Sequence, residues 1–312
     1  MNNNLQTILG SGGVIGTPLA KELSKFTTKI RLVSRNPKKV NPDDELFAAD
    51  LTDATQVDKA VQGSEVVYLT VGFEYKLKVW KEKWPKVMSN VIGACKKHRA
   101  KLVFFDNIYM YDLDFLNGMT EETPIKPPSK KGEIRASILN MLLGAMKTGE
   151  LTALIARAAD FIGPKNSLLS EMVYKDLKNG KKATWLADTS KIHNFTFTND
   201  AARATALLGN TPEAFGQTWH LPTNRSPLTG KDWIEMFAKE LKVESKISVM
   251  PVWMLGILGI FVPILREFKE MAYQYDRDYL FDSSKFEKRF GFKPATPQEA
   301  VRQTIKMLDS KK

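Results

Sequence analysis

The stretch of this chain whose residue types and spacing point most directly to chemistry is Gly10-Ser11-Gly12-Gly13-Val14-Ile15-Gly16. Glycines at 10, 13 and 16 are spaced GxxGxxG, with Gly12 adding freedom, between an apolar run and a helical pattern. Such a loop turns tightly, lets the backbone approach a pyrophosphate and sets a helix N-terminus against the anion. Gly10, Gly12, Gly13, Val14, Ile15 and Gly16 are therefore expected to hold a dinucleotide. The second apolar run closes with Ser34-Arg35-Asn36, which lacks the carboxylate that would hold an adenosine 2′-hydroxyl, whereas Arg35 can bond a 2′-phosphate. NADP is expected over NAD; NAD stays open, because Arg35 could instead stack on adenine. Farther on, Asp50-Leu51 can meet the adenine amino group, and Thr70-Val71-Gly72 ends a run where backbone passes close to a ligand.

These residues need a sheet to hold them in one place. Short β-rich runs at Gln6–Leu9, Lys29–Val33, Leu46–Ala49, Val66–Leu69, Lys101–Phe105 and Ala153–Ala156 read as strands. They alternate with helical patterns at Pro18–Lys25, Gln56–Val61, Trp80–Lys97 and Gly132–Thr148. That order predicts an α/β fold with an open, doubly wound parallel sheet. Thr123-Pro124-Ile125-Lys126-Pro127-Pro128 can continue neither helix nor central strand, so it reads as a loop positioning the next helix. Past Gly163-Pro164 the alternation breaks down, which suggests a smaller second region.

Composition narrows the class. In 312 residues, 46 Lys and Arg against 35 Asp and Glu give a net charge of +11, with 43% hydrophobic residues, enough for a substantial core. Without a nucleic-acid-binding motif, the basic excess reads as a surface that attracts small anions. Cys95 is the single cysteine, excluding a disulfide framework or a CxxC site. Met1-Asn2-Asn3-Asn4 lacks a signal-peptide pattern, so a cytoplasmic location is expected. GxSxG, GxxxxGK[ST] and a metal-ligand cluster are all missing, which argues against a serine hydrolase, a P-loop nucleotidase and a metal enzyme.

The order of Gly10–Gly16, Arg35, Asp50-Leu51, the Gly72 turn and Asn90 resembles the extended short-chain dehydrogenase/reductase superfamily, in particular its NAD-dependent epimerase/dehydratase branch. The likeness continues through Arg157 to Pro164, His193–Ala206 and Phe290-Gly291-Phe292-Lys293-Pro294, so it covers nearly the whole chain. It implies a Rossmann-type domain over 1–165, with 191–222 returning to it, and a smaller C-terminal substrate-binding region over 166–312. It also implies NAD(P), a small carbonyl, hydroxyl or sugar-type substrate, and, by analogy, a homodimer.

Such enzymes usually employ Ser/Thr with a YxxxK pair, and here the chain departs from the pattern. Lys131 falls at the tyrosine position, Arg135 at the lysine position and Asn107 at the Ser/Thr position. Lys131 and Arg135 share a helix face four residues apart, where a guanidinium would disfavour the ammonium and free Lys131 as a general acid or base. The alternative is that both only neutralise phosphates or face solvent. Tyr109 and Tyr111 are further proton donors, on one face with Asn107 if the strand continues that far. Asp160, just past the sixth strand, and His193 are expected to line the substrate site or to play structural parts, and His193 and His220 are the other candidate acid–base groups, with a structural role as the alternative. The enzyme reading has a rival in a cofactor-binding sensor without turnover.

Ile247–Leu265 carries no charge, and Pro251 and Pro263 clip it too short to span a bilayer. It reads either as a buried or cap-region helix or as a contact surface for a dimer, lipid or apolar substrate.

Overall fold

The computed structural model describes residues 3–310. In chain order the first half comprises β1 (Gln6–Leu9), α1 (Gly16–Leu23), β2 (Ile30–Ser34), β3 (Glu45–Ala48), α2 (Ala54–Val61), β4 (Val66–Leu69), α3 (Leu77–His98), β5 (Lys101–Asp106), α4 (Lys130–Lys147) and β6 (Ala153–Arg157). The second half adds β7 (Phe161–Ile162), α5 (Lys175–Lys178), β8 (Ala183–Leu186), β9 (Thr196–Phe197), α6 (Thr198–Gly209), β10 (Thr218–His220), α7 (Gly230–Leu241), β11 (Ile247–Met250), α8 (Val252–Leu258), α9 (Pro263–Met271), α10 (Ser284–Phe290) and α11 (Pro297–Asp309).

The main sheet is parallel throughout, ordered β10-β6-β5-β4-β1-β2-β3. Its inner strands are largely apolar, as a sheet covered on both faces requires: β4 and β6 are buried along their full length. On one face α2, α3 and α4 bury Val57, Trp84, Val87, Ile138 and Leu142. On the other, α1, α6 and α10 bury Leu19, Ala202, Leu208 and Phe286. The six expected strands are present to within about a residue, and β10 makes a seventh. Its three residues, Thr-Trp-His, are too few to carry a periodic pattern.

A second core packs Trp185, Phe195, Trp233 and Phe237 between α7, α11 and the short parallel pair β8–β11. A smaller cluster of Ile108, Tyr111, Met119, Tyr279 and Phe281 joins the loop after β5 to the segment before α10. Bridges at Met119–Phe281 and His193–Tyr279 tie that segment to both cores. The uncharged stretch is not one helix. It divides into β11, α8 and the start of α9, with Pro251 capping α8 and Pro263 opening α9. No described helix is long and apolar enough to cross a membrane.

Candidate active site

β1 and β4 are adjacent at the point where the strand order reverses, the place where open α/β sheets bind ligands. The chain leaves β1 through Gly10 at φ +104°, and a Cβ there would stand 2.6 Å from the Val71 backbone. A Cβ on Gly16 would stand 2.4 Å from the Gly10 carbonyl. Both glycines are thus fixed by backbone meeting backbone, in a turn closed by Gly13 N–H donating to Gly10 O at 3.1 Å. Val14 and Ile15 carry the chain into α1, whose cap Ile15 has no side-chain acceptor for the first-turn N–H groups. The space beside Gly12 is open, and the buried Ser11 hydroxyl finds no hydrogen-bond partner among the described residues. An open cradle with an unengaged donor and an uncapped helix start fits a pyrophosphate.

The nucleoside side follows from the next strands. Ser34 ends β2, and Arg35 stands exposed just past it. Asp50 accepts from Thr52 N–H at 2.9 Å and from its hydroxyl at 2.8 Å. Those two bonds hold its carboxyl below the usual carboxylate range, with the charges of Lys83 and Arg35 adding to the effect. Asn90 on α3 donates to Leu51 O at 3.0 Å, so its amide braces the loop after β3. Thr70 is buried next to Gly10, and Gly72 is exposed at the rim.

The catalytic end departs from expectation in three respects. β5 stops at Asp106, so Asn107, Tyr109 and Tyr111 do not share a strand face. The chain turns instead, with Asn107 Oδ1 accepting from Tyr109 N–H, and the two tyrosines separate. Tyr111 is buried and accepts from Arg157 at 2.8 Å. His220 Nδ1 lies 2.8 Å from the Asp282 carbonyl, an acceptor only, so the proton sits there; Nε2 accepts from the Tyr111 hydroxyl at 2.7 Å.

Arg135 is buried in an ion pair. Its guanidinium turns to Asp106 at the end of the inner strand β5 and lies 4.4 Å over the Trp84 ring. Asp106, fully enclosed, also takes two bonds from Arg157 at 3.0 and 3.2 Å. One carboxylate therefore serves two buried guanidiniums. A guanidinium does not set the electrostatics of Lys131. Its ammonium is fully buried against two carboxylates of α9, Glu267 and Glu270, the latter at 2.9 Å, and lies 4.7 Å from the Tyr75 ring centre. The charges nearest Lys131 are thus two carboxylates, not the guanidinium of the sequence expectation. Glu267 also accepts from Leu77 N–H, and Glu270 from Lys131 N–H.

Tyr109 is half-buried, stacked on Trp80 at 6.1 Å, with the Tyr75 hydroxyl 3.5 Å from its own. Burial, reinforced by the charge of Asp160, pushes its phenol well above the ordinary tyrosine range. Asp160 accepts from the Tyr275 hydroxyl at 2.6 Å and lies 3.2 Å from His193 Nε2. The His193 ring is stacked between Tyr275 and Tyr279, at 4.5 and 4.3 Å. Burial, then the Asp160 charge, raises both of those phenols as well. Sequence reasoning missed Tyr75, Tyr275, Tyr279, Glu267 and Glu270. The one available signal was the three-residue spacing of the two glutamates, which puts them on one helix face.

The model of the NAD dependent epimerase/dehydratase family matches residues 7–221. Two curated relatives from Arabidopsis thaliana are described as 3beta-hydroxysteroid-dehydrogenase/decarboxylase. Isoform 2 is 25% identical over 298 residues, covering 84% of this chain and 51% of that protein. Isoform 1 is 26% identical over 299 residues, covering 84% and 66%. The chain thus spans about half to two thirds of the length of these relatives. Among solved structures, the Thermus thermophilus UDP-glucose 4-epimerase complex with NAD superposes with a TM-score of 0.78 at 16% identity, over 98% of this chain and 99% of that one.

Proposed function

The chain belongs to the NAD-dependent epimerase/dehydratase family, and on that premise we propose that it is an NADP-using oxidoreductase interconverting a secondary alcohol and a ketone on an apolar, sterol-like substrate. The observation that carries the reading is the glycine turn, where backbone packing, open space beside Gly12 and the unengaged Ser11 hydroxyl fit a dinucleotide pyrophosphate. Arg35 supports the 2′-phosphate form of the cofactor. The curated relatives' descriptions support an apolar alcohol, as does the aromatic wall of Tyr75, Trp80, Tyr109 and Phe268.

Bound nicotinamide supplies or accepts the hydride. Gly10–Gly16 and Ser11 hold the pyrophosphate, Asp50 and Arg35 the adenosine end, and Thr70 and Gly72 the approach to the ring. Tyr109 keeps its proton because burial and Asp160 disfavour the phenolate. Tyr75 donates to the Tyr109 oxygen, which leaves the Tyr109 hydrogen for a substrate oxygen. As that oxygen gains alkoxide character it is a far stronger base than a phenolate, so the proton moves to it. Lys131, held by Glu267 and Glu270, positions α9 and Tyr75 at the site and is not the proton carrier.

Fluorescence titration with NADPH and NADH tests the cofactor. NADPH should bind more tightly, and Arg35→Glu should erase about tenfold of that preference; failure of both cofactors to bind would sink the oxidoreductase reading. Tyr109→Phe should lower kcat by about 10²–10⁴-fold with the NADPH Kd unchanged. Undiminished turnover would place the proton donor elsewhere.

A further inference from the structure

The hairpin of α8 and α9 presents an apolar surface that the rest of the chain leaves uncovered. Phe261 is 79% exposed, Trp253 65%, Ile260 64% and Ile257 53%, with Val262 and Ile264 beside them. Contiguous exposure of this kind marks a contact surface, since isolated apolar side chains are common and clusters at one tip are not. The underside of the same hairpin is fastened to the catalytic end: Leu255 is fully buried in the second core, and Phe268 packs on Tyr75. Glu267 and Glu270 are turned in on Lys131. The turn is tied by Arg266, whose Nε donates to Gly259 O at 2.5 Å and whose Nη2 donates to Ile260 O at 3.2 Å. The tip is therefore a braced feature rather than a loose loop.

Charge decides what it fits. The exposed charged side chains of α9 are Arg266 and Lys269, both basic, while its two acidic residues turn inward and pair with Lys131; Lys246, just before β11, is paired with the exposed Glu244 at 3.0 Å. Lys269 lies across Gly256 of α8, so its ammonium borders the apolar tip. Leu77 N–H bonds Glu267, bringing the start of α3 with its exposed Lys78 and Lys81 next to the hairpin, while Lys76 is paired with Glu74. An apolar tip bearing Trp and Phe, bordered by lysines and an arginine on a chain of net charge +11, matches a bilayer with anionic headgroups.

We propose that the α8–α9 hairpin docks the protein on an anionic membrane surface, with Trp253, Ile257, Ile260 and Phe261 entering the headgroup boundary and Arg266 and Lys269 meeting lipid phosphates. The protein lies on the bilayer and does not span it. Docking is independent of the cofactor and of the reaction, so its failure would leave the proposed chemistry untouched.

The test is flotation of the full chain with phosphatidylcholine vesicles with and without about 30% phosphatidylglycerol. The expected result is binding to the anionic vesicles, loss of at least about tenfold in partition for Ile260→Asp with Phe261→Asp, and a loss of about fivefold for Lys269→Glu. These side chains lie outside the cores, so the variants should retain the wild-type thermal midpoint. A wild-type chain that stays unbound with both vesicle types would overturn the proposal, and so would equal binding by the hairpin variants. Light scattering supplies a third arm. If the wild-type chain is an oligomer that the apolar-to-Asp variants convert to monomer without any vesicle binding, the face covers a second copy and the membrane assignment fails.

Discussion

The glycine turn and the start of α4 lie at the same end of the sheet, yet they are built by different means. At the turn the constraints are made of backbone: Gly10 against Val71, Gly16 against Gly10. At α4, beyond the local Ser129 cap, the charged side chains reach remote partners, Lys131 to α9 and Arg135 to Asp106. The first region keeps a pyrophosphate cradle open, while the second consumes its most reactive-looking side chains in ion pairs. A residue at a catalytic position is thus no guide to its role until its partners are known. Arg135 and Lys131 are both held in ion pairs, which is why the proposed chemistry rests on the half-buried Tyr109.

The largest expected effect tests the ionic region. Asp106→Leu leaves two buried guanidiniums without their carboxylate and should destabilise the fold by about 3–5 kcal/mol in urea unfolding; a cost below about 1 kcal/mol would break the contrast. Gly16→Ala tests the backbone region. It should weaken NADPH binding by about 100-fold, or about 2.7 kcal/mol, because the added methyl meets the Gly10 carbonyl. Wild-type affinity would show that the turn does not hold the pyrophosphate. Glu270→Gln removes one of the two carboxylates on Lys131 while Glu267 remains, and should cost about 1–2 kcal/mol. Faster hydrogen exchange confined to 263–271 would accompany it; uniform exchange across the chain would mean that the pair does not fasten α9.

The smallest effect is a dependence on pH. Burial, with the charge of Arg157 adding to it, pushes His220 well below its ordinary value of 6.5. Below pH 6.5 the unfolded chain binds a proton there that the folded chain refuses, so stability falls as pH falls and is unaffected above that value. The loss between pH 6.5 and 5.5 should be about 1 kcal/mol. His220→Gln should flatten the thermal midpoint across that window, and an unchanged slope would assign the dependence to other groups.

Strand and helix boundaries were legible because period and turn chemistry are properties of neighbouring residues. β1, β4 and the proline-rich loop leading to the Ser129 cap all follow from spacing alone. β10 escaped notice because three residues carry no period. The glycine turn was legible because its glycines fall within seven consecutive residues, and Gly16 is fixed inside that span by the Gly10 carbonyl, although the Val71 backbone that fixes Gly10 comes from another strand. Family likeness pointed to Asn107, Lys131 and Arg135, but position along a helix says nothing of what a side chain meets.

The amino-acid sequence by itself determined the alternation of strands and helices, the phosphate turn and the absence of the family tyrosine, since each is written in consecutive residues. Only the tertiary structure decided that Lys131 is held by Glu267 and Glu270, 136 and 139 positions away, and that the uncharged segment folds into a braced hairpin with an exposed tip. Charge state and exposure depend on what the folded chain brings within a few ångströms, and those neighbours come from segments that no local pattern connects.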